Sequence, residues 1–409
     1  MFRLILIIAL GFLSLSGSLS LLVALLIICI GLVLFNKGNF AYAEEWFWVL
    51  ILISSYYEGT YLWGENSFLI YPFSLFLGLL LIPKRIPKIS LYIVALALLG
   101  VFNIFTVKWF MIELFQWTIF FVILFSRFRS NRLHELLIYV AFIYYPLRLI
   151  YSYFAHIDYF DESSALFTLV QLAVVLERKT IMYLVVMLLT LMIKLAAGFL
   201  GSFEILGFGL LLLWSGGRRM LVLFLLPLML LIQENISLFT FGDKVNHKFG
   251  QLFTFFELFD NRRLVSLVPF SIRVRILEFW RVFSSVDIHT LIGRGIGSYY
   301  TYEPSLLHEF GIYSFEGTDS YTKEELELGM YKTAHNSIPY IANKAGLVGL
   351  ISFFHYVRSF IYTLQGNIFG KCTIIYAMMN IGFGLKNYIV IAFLLNLSYY
   401  EGCKTASHT

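Results

Sequence analysis

The chain has 409 residues, of which 59% are hydrophobic and only 13% charged, about half the charged share of an ordinary soluble domain. Thirty Lys and Arg against 25 Asp and Glu give a formal charge of +5, and the mean hydropathy is +0.80. This composition excludes a water-soluble enzyme, so the basic residues are read for membrane orientation and not for a nucleic-acid partner.

Apolar runs fall at 4–16, 19–35, 46–57, 67–82, 89–107, 109–125, 136–154, 165–176, 180–197, 203–214, 220–232, 337–363, 372–385 and 387–399. The first follows a lone Arg3 and precedes the small-residue stretch Ser14 to Ser20, the outline of a cleaved signal peptide. A second run starts at once and the basic region is weak, so it is read as a first span. Several runs are shorter than the ~20 residues of a straight span, and some are expected to tilt, merge or re-enter. The expectation is an all-α, polytopic integral membrane protein with 12–14 transmembrane helices.

The basic connectors Lys84-Arg85-Ile86-Pro87-Lys88, then Arg127, Arg129 and Arg132, then Arg178-Lys179, then Arg218-Arg219 all fall on one side if every run crosses. The positive-inside rule makes that side the cytoplasm and puts both termini there, whereas the opposite connectors are short or acidic, as at Asp158 to Glu162. Cys29, Cys372 and Cys403 have no disulfide-like or ligand-like spacing, and no metal or cofactor is expected. Three basic residues, Lys108, Arg148 and Lys194, fall toward the outer ends of their runs, where ionisable groups are functional candidates. Glu113 and Glu204 are their expected partners, and Pro146 can bend the helix that carries Arg148. Snorkelling to the interface is the alternative for these cations.

One long polar stretch, 233–334, separates an N-terminal bundle (1–232) from C-terminal helices and a tail (335–409). It is far longer than a connector and falls outside, making a large periplasmic loop. Its first half carries Lys244, Lys248, Arg262, Arg263, Arg273, Arg275, Arg281 and Arg294, which suits an anionic ligand; its second half, Glu303 to Glu327, is acidic. Ser271 to Arg281 has helical periodicity, with Ile276, Leu277 and Trp280 on one face and Arg275, Glu278 and Arg281 on another. Such a helix either anchors at the membrane surface or presents arginines to a phosphate. Gly293-Arg294-Gly295-Ile296-Gly297 follows, either a turn or a backbone cradle for an anion.

The strongest local pattern runs from His335-Asn336 through Tyr340 and Lys344 to Gly346-Leu347-Val348-Gly349. A histidine at the boundary between the polar loop and the next apolar run can take a proton from a hydroxyl nucleophile, and is otherwise a polar interface residue. Gly346 and Gly349 are spaced for close helix packing.

Together, His-Asn, nine residues, Gly-x-x-Gly, an arginine-bearing amphipathic stretch before it and a Gly-x-Gly turn resemble the signature of the O-antigen polymerase and O-antigen ligase superfamily. The likeness covers about Ser271 to Gly349; elsewhere it is one of architecture. It implies a fold similar to the C-type glycosyltransferases and a metal-independent glycosyl transfer at the periplasmic face of the bacterial inner membrane, in lipopolysaccharide biosynthesis. The donor would be an undecaprenyl-pyrophosphate-linked oligosaccharide, with a chain-length regulator and a flippase as pathway partners. By that resemblance His335 activates the acceptor hydroxyl, and Arg273 and Arg294 engage pyrophosphate. Arg275 and Arg281 on the amphipathic face, Arg148 and Lys194 as charges within apolar runs, and Asn336 beside the histidine are further candidate substrate contacts. Gly295, Gly297, Gly346 and Gly349 shape the motif, and Tyr299, Tyr300, Tyr302 and Tyr340 are available to stack on sugars. Two departures stand out: Lys344 takes a position where the family often has an acid, and Leu350-Ile351 replaces a Thr-Thr frequent in ligases. The second favours a polymerase over a ligase. A transporter or flippase shares the span count and basic patches, but would place its charges nearer the midplane and show repeated halves.

Overall fold

The computed structural model describes residues 17–53, 77–83, 86–102, 105–154, 163–196, 270–284, 288–313, 323–332, 337–363, 368–380 and 384–406, with a few single positions besides. Among these the structure is almost entirely helical. The helices are α1 (Gly17–Asn36), α2 (Phe40–Ile53), α3 (Ile86–Val101), α4 (Val107–Leu124), α5 (Leu133–Tyr139), α6 (Tyr145–Phe154), α7 (Ser163–Arg178) and α8 (Ile181–Ala196). After the long polar stretch begins come α9 (Phe270–Ser284), α10 (Ile288–Ile292), α11 (Pro304–Glu309), α12 (Lys323–Leu328), α13 (Ser337–Thr363), α14 (Ile368–Asn380) and α15 (Gly384–Ala406). The short strands β1 (Ile82–Pro83) and β2 (Ser126–Arg127) pair antiparallel, Ile82 opposite Arg127.

Two of the described helical stretches, Val107–Leu124 and Leu133–Tyr151, are long and apolar enough to cross a membrane. Shorter apolar helices cover Leu25–Asn36, Ile181–Lys194 and Asn387–Ser398. The expected runs at 203–214 and 220–232, and Glu204 with them, lie outside the described residues.

At the centre stands α15, where every residue from Tyr388 to Leu397 is buried. A helix apolar on all sides has no solvent face and must be surrounded. It packs along α4 and α14, and α14 in turn lies against α7. Trp48 of α2 stacks on Phe393 at 4.0 Å between ring centroids. Polar side chains close the helix ends in this core: Thr106 caps α4 by accepting from the Trp109 amide at 3.1 Å, and Asn396 donates to the Ile123 and Ser126 carbonyls at 2.8 and 3.2 Å. Glu44 of α2 accepts from the Arg129 and Ser130 amides at 2.8 and 3.0 Å, fixing the basic turn after β2.

Pro146 lies just after an irregular stretch of the ladder. Between α5 and α6 the backbone widens to a π-helix, Val140–Tyr144, and the Tyr145 amide donates to the Val140 carbonyl. Proline offers no amide to the turn above it and its ring crowds that turn, so the hydrogen bonds step one residue along. Gln171 of α7 donates to the Ala141 carbonyl within this stretch at 2.7 Å.

Candidate functional site

The site is built where the glycine-rich turn after α10 meets α3, α4 and α13. Helix α13 is broken at Gly346, whose φ of 66° and ψ of −172° are open only to glycine. The break frees carbonyls one turn earlier. The Arg294 amide donates to the Asn343 carbonyl and the Gly295 amide to the Lys344 carbonyl, each at 2.8 Å. On the other side the Ile296 amide donates to the Leu96 carbonyl at 3.1 Å, and Phe105 donates to the Gly297 carbonyl at 2.9 Å.

Gly293, Gly295 and Gly297 all have positive φ, and a Cβ on Gly293 or Gly295 would run into the backbone of α13 or α3. The turn is therefore a backbone seam between helices. The amides of Gly293 through Gly297 are all spent on the protein itself, the first on the His289 carbonyl at 2.8 Å and the last on the Glu113 carboxylate. The alternative of a backbone cradle for an anion is thereby set aside; whatever Arg294 does, it does with its half-buried side chain.

Beneath the turn lies a buried polar network. Lys344 of α13 donates to Glu113 of α4 at 3.0 Å and to the Ser298 carbonyl at 2.7 Å. Tyr340 donates to the other Glu113 oxygen, and Tyr388 of α15 donates to the Tyr340 hydroxyl at 2.5 Å. Glu113, Ser298 and Tyr388 are 0% exposed, Lys344 and Tyr340 1%. Three helices and the turn are thus joined through one carboxylate. This corrects the expected pairing of Glu113 with Lys108, Arg148 or Lys194: its cation is Lys344, and Lys108 is exposed.

Arg148 and Lys194 are both buried and flank neighbouring tyrosines. Arg148 donates to Tyr144 at 3.1 Å, and Tyr144 donates on to the Ile53 carbonyl at 2.8 Å. Lys194 donates to Thr168 and stands 5.0 Å from the Tyr145 ring centre.

The described part of the polar stretch has its own core. Val274 and Leu277 of α9 are buried with Tyr300, Tyr302, Ile312, Tyr321 and Tyr331. The face of α9 that packs inward is therefore Val274, Leu277 and Glu278, whereas Ile276 and Trp280, expected beside Leu277, are 38% and 58% exposed. Glu278 turns inward because Tyr321 donates to it at 3.2 Å. Arg273 donates to the Gly311 and Phe310 carbonyls at 2.7 and 3.3 Å, and Arg281 donates to the Thr301 carbonyl at 2.8 Å with its guanidinium 4.6 Å from the Tyr300 ring. Arg275 is exposed.

Tyr300, Tyr302 and Tyr340 are buried in packing or hydrogen bonding and offer no face to a sugar; Tyr299, half-buried and edge-on to Phe105, remains. Burial pushes the Tyr300, Tyr302 and Tyr321 phenols up, the Glu278 carboxylate adding to it.

His335 and Asn336 lie outside the described residues; α13 begins at Ser337, directly after them. Among the described residues no three His, Cys, Asp or Glu side chains gather as metal ligands. The site residues that sequence reasoning missed are Ser298 and Tyr388, and it named Glu113 and Lys344 without joining them. The signal was there: an acid near one end of the apolar run 109–125 and a base near one end of the run 337–363. No protein-family model matches the chain, and no curated protein matches it.

Proposed function

We propose that this protein is a polytopic inner-membrane glycosyltransferase, an O-antigen polymerase that transfers an undecaprenyl-pyrophosphate-linked glycan onto a lipid-linked repeat unit at the periplasmic face. The observation that carries the reading is the seam between the two halves of the sequence motif. The Gly-Arg-Gly turn and the helix after His335-Asn336, about forty residues apart in the chain, are hydrogen-bonded through Arg294 to Asn343 and Gly295 to Lys344. A departing pyrophosphate gathers negative charge that fixed arginines stabilise without a metal, and the acceptor hydroxyl needs a base. Arg294 and His335 are assigned those roles, with Arg275 a further contact to the lipid-linked donor.

Exposed apolar helix faces support the membrane assignment. On α8, Ile181, Met182, Val185, Leu189 and Met192 are exposed together, and on α3, Leu91, Val94, Leu98 and Val101. Contiguous faces of this kind mark contact with lipid or another protein. The cytoplasmic placement of both termini belongs to the same proposal and rests on the basic connectors.

The test is lipopolysaccharide from a strain lacking the gene, beside its pool of lipid-linked glycans. Core bearing one repeat unit and no ladder is expected. Bare core with polymer retained on the lipid carrier would identify a ligase, the reading against which Leu350-Ile351 speaks, and failure of repeat units to reach the periplasm would identify a transporter. His335→Ala should reproduce the deletion with the chain still inserted.

A further inference from the structure

We propose that Lys344 is the positioning residue of this site, clamping the Gly293–Ser298 turn to α13 and so setting where Arg294 stands. The inference rests on the function proposed above and adds to it a residue that the sequence motif marks only as a departure. An ammonium has three donors and no acceptor. Two are accounted for: the Glu113 carboxylate at 3.0 Å and the Ser298 carbonyl at 2.7 Å. The contact to Ser298 sets this pair apart from an ordinary ion pair between helices, because it reaches into the turn itself.

Everything else about the turn converges on that contact. Ser298 donates its hydroxyl back to the Gly295 carbonyl at 2.7 Å, closing the turn on itself. The Gly297 amide donates to the same Glu113 oxygen that Lys344 holds. Lys344 also offers its backbone carbonyl to Gly295, so one residue grips the turn at both Gly295 and Ser298. Arg294 directly precedes this gripped stretch, its amide on Asn343. Asn343 is six residues into α13 from Ser337, about 9 Å along the axis from the end that follows His335-Asn336. A cation at position 344, where an acid would repel the Glu113 carboxylate and could not donate to Ser298, is what this arrangement requires.

The experiment uses the full chain with Cys29, Cys372 and Cys403 replaced by serine and a reporter thiol introduced by Tyr299→Cys, one residue beyond the clamp. Maleimide labelling of the detergent-purified reporter protein reads the turn, and the ladder in a deletion strain complemented with the same Glu113 and Lys344 variants in a chain that keeps Tyr299 reads activity. The neutral pair Glu113→Gln with Lys344→Met leaves no charge buried alone, so it is expected to fold. It should label about tenfold faster or more, the equivalent of one lost charge-assisted hydrogen bond, and lose the ladder in parallel. Lys344→Arg, which can still donate to both acceptors, should keep slow labelling and most of the ladder.

The reversed pair Glu113→Lys with Lys344→Glu restores attraction between α4 and α13 but supplies no donor from position 344 to Ser298. It should label fast and remain inactive. Slow labelling and a normal ladder from the reversed pair would reduce Lys344 to a helix staple and overturn the proposal, as would unchanged labelling in the neutral pair. A deletion strain with a normal ladder would sink the proposed function alone, because labelling still tests the clamp.

Discussion

Lys344 and Glu113 are 231 positions apart in the chain and 3.0 Å apart in space, and neither is more than 1% exposed. Their attraction has to offset the cost of removing two charges from water, and it does so with every other partner also hydrogen-bonded: Tyr340, the Gly297 amide and the Ser298 carbonyl. Removing one member leaves the other charge buried alone. Lys344→Met and Glu113→Gln are each expected to destabilise by about 3–5 kcal/mol, and the double variant by clearly less than their sum. Detergent-solubilised unfolding of the four proteins of this cycle measures the coupling. Additive losses would mean the two groups do not stabilise each other.

Gly346 is the second test of the seam. Its backbone occupies a region closed to side chains, and a Cβ there would strike the Leu291 carbonyl and the Gly293 amide. Gly346→Ala therefore has both strain and collision to accommodate, and it should push α10 away from α13. Gly329, with φ of +62° and nothing near its missing Cβ, is the control: Gly329→Ala meets only the conformational cost of about 1–2 kcal/mol. Thermal aggregation of the two variants in membranes should separate them widely. Equal behaviour would show that the break in α13 carries no packing load.

Much of this was legible from residue patterns, and the remainder was not for identifiable reasons. The runs at 109–125 and 387–399 became α4 and the core of α15 because long apolar segments have few alternatives to a buried helix. Pro146 marked α6 for a bend, and the irregularity found there is the π-helical turn Val140–Tyr144. The inward face of α9 was misjudged because counting apolar residues favours Ile276 and Trp280 over Glu278, and the Tyr321 hydroxyl that meets this acid inside is forty-three residues away. Pairing Glu113 with Lys344 required knowing which helix ends are neighbours, and periodicity does not carry that information. The glycine turn looked like a ligand cradle because free amides and a backbone seam ask for the same residues.

Arg273 separates ligand contact from scaffold. Its guanidinium holds the Phe310 and Gly311 carbonyls, where Ile312 enters the tyrosine core. Arg273→Ala should release the segment after α11 at a cost of about 1–3 kcal/mol, and Arg273→Lys should recover part of it through a single donor. Amide hydrogen exchange over 304–313 reads this directly. Weakened donor use with exchange unchanged would instead place Arg273 against the pyrophosphate, as the family resemblance suggests.

The tyrosine core of the polar stretch makes it sensitive to alkali. Tyr300, Tyr302 and Tyr321 are held neutral because burial, reinforced by the Glu278 carboxylate, raises each above its ordinary value of 10.0. A phenol whose folded pKa lies above its unfolded one contributes stability that is complete below pH 10 and is lost as the pH climbs from there toward the folded value. The unfolded chain gives up these protons first, so alkali draws the equilibrium toward it. Titration followed by phenolate absorbance should show the core tyrosines ionising late and together, as the segment opens. Tyr321→Phe should leave Glu278 without its hydroxyl donor while removing one ionisable group, lowering stability near neutrality and flattening the alkaline loss. A smooth titration of all tyrosines near pH 10, with no accompanying loss of structure, would contradict the buried core.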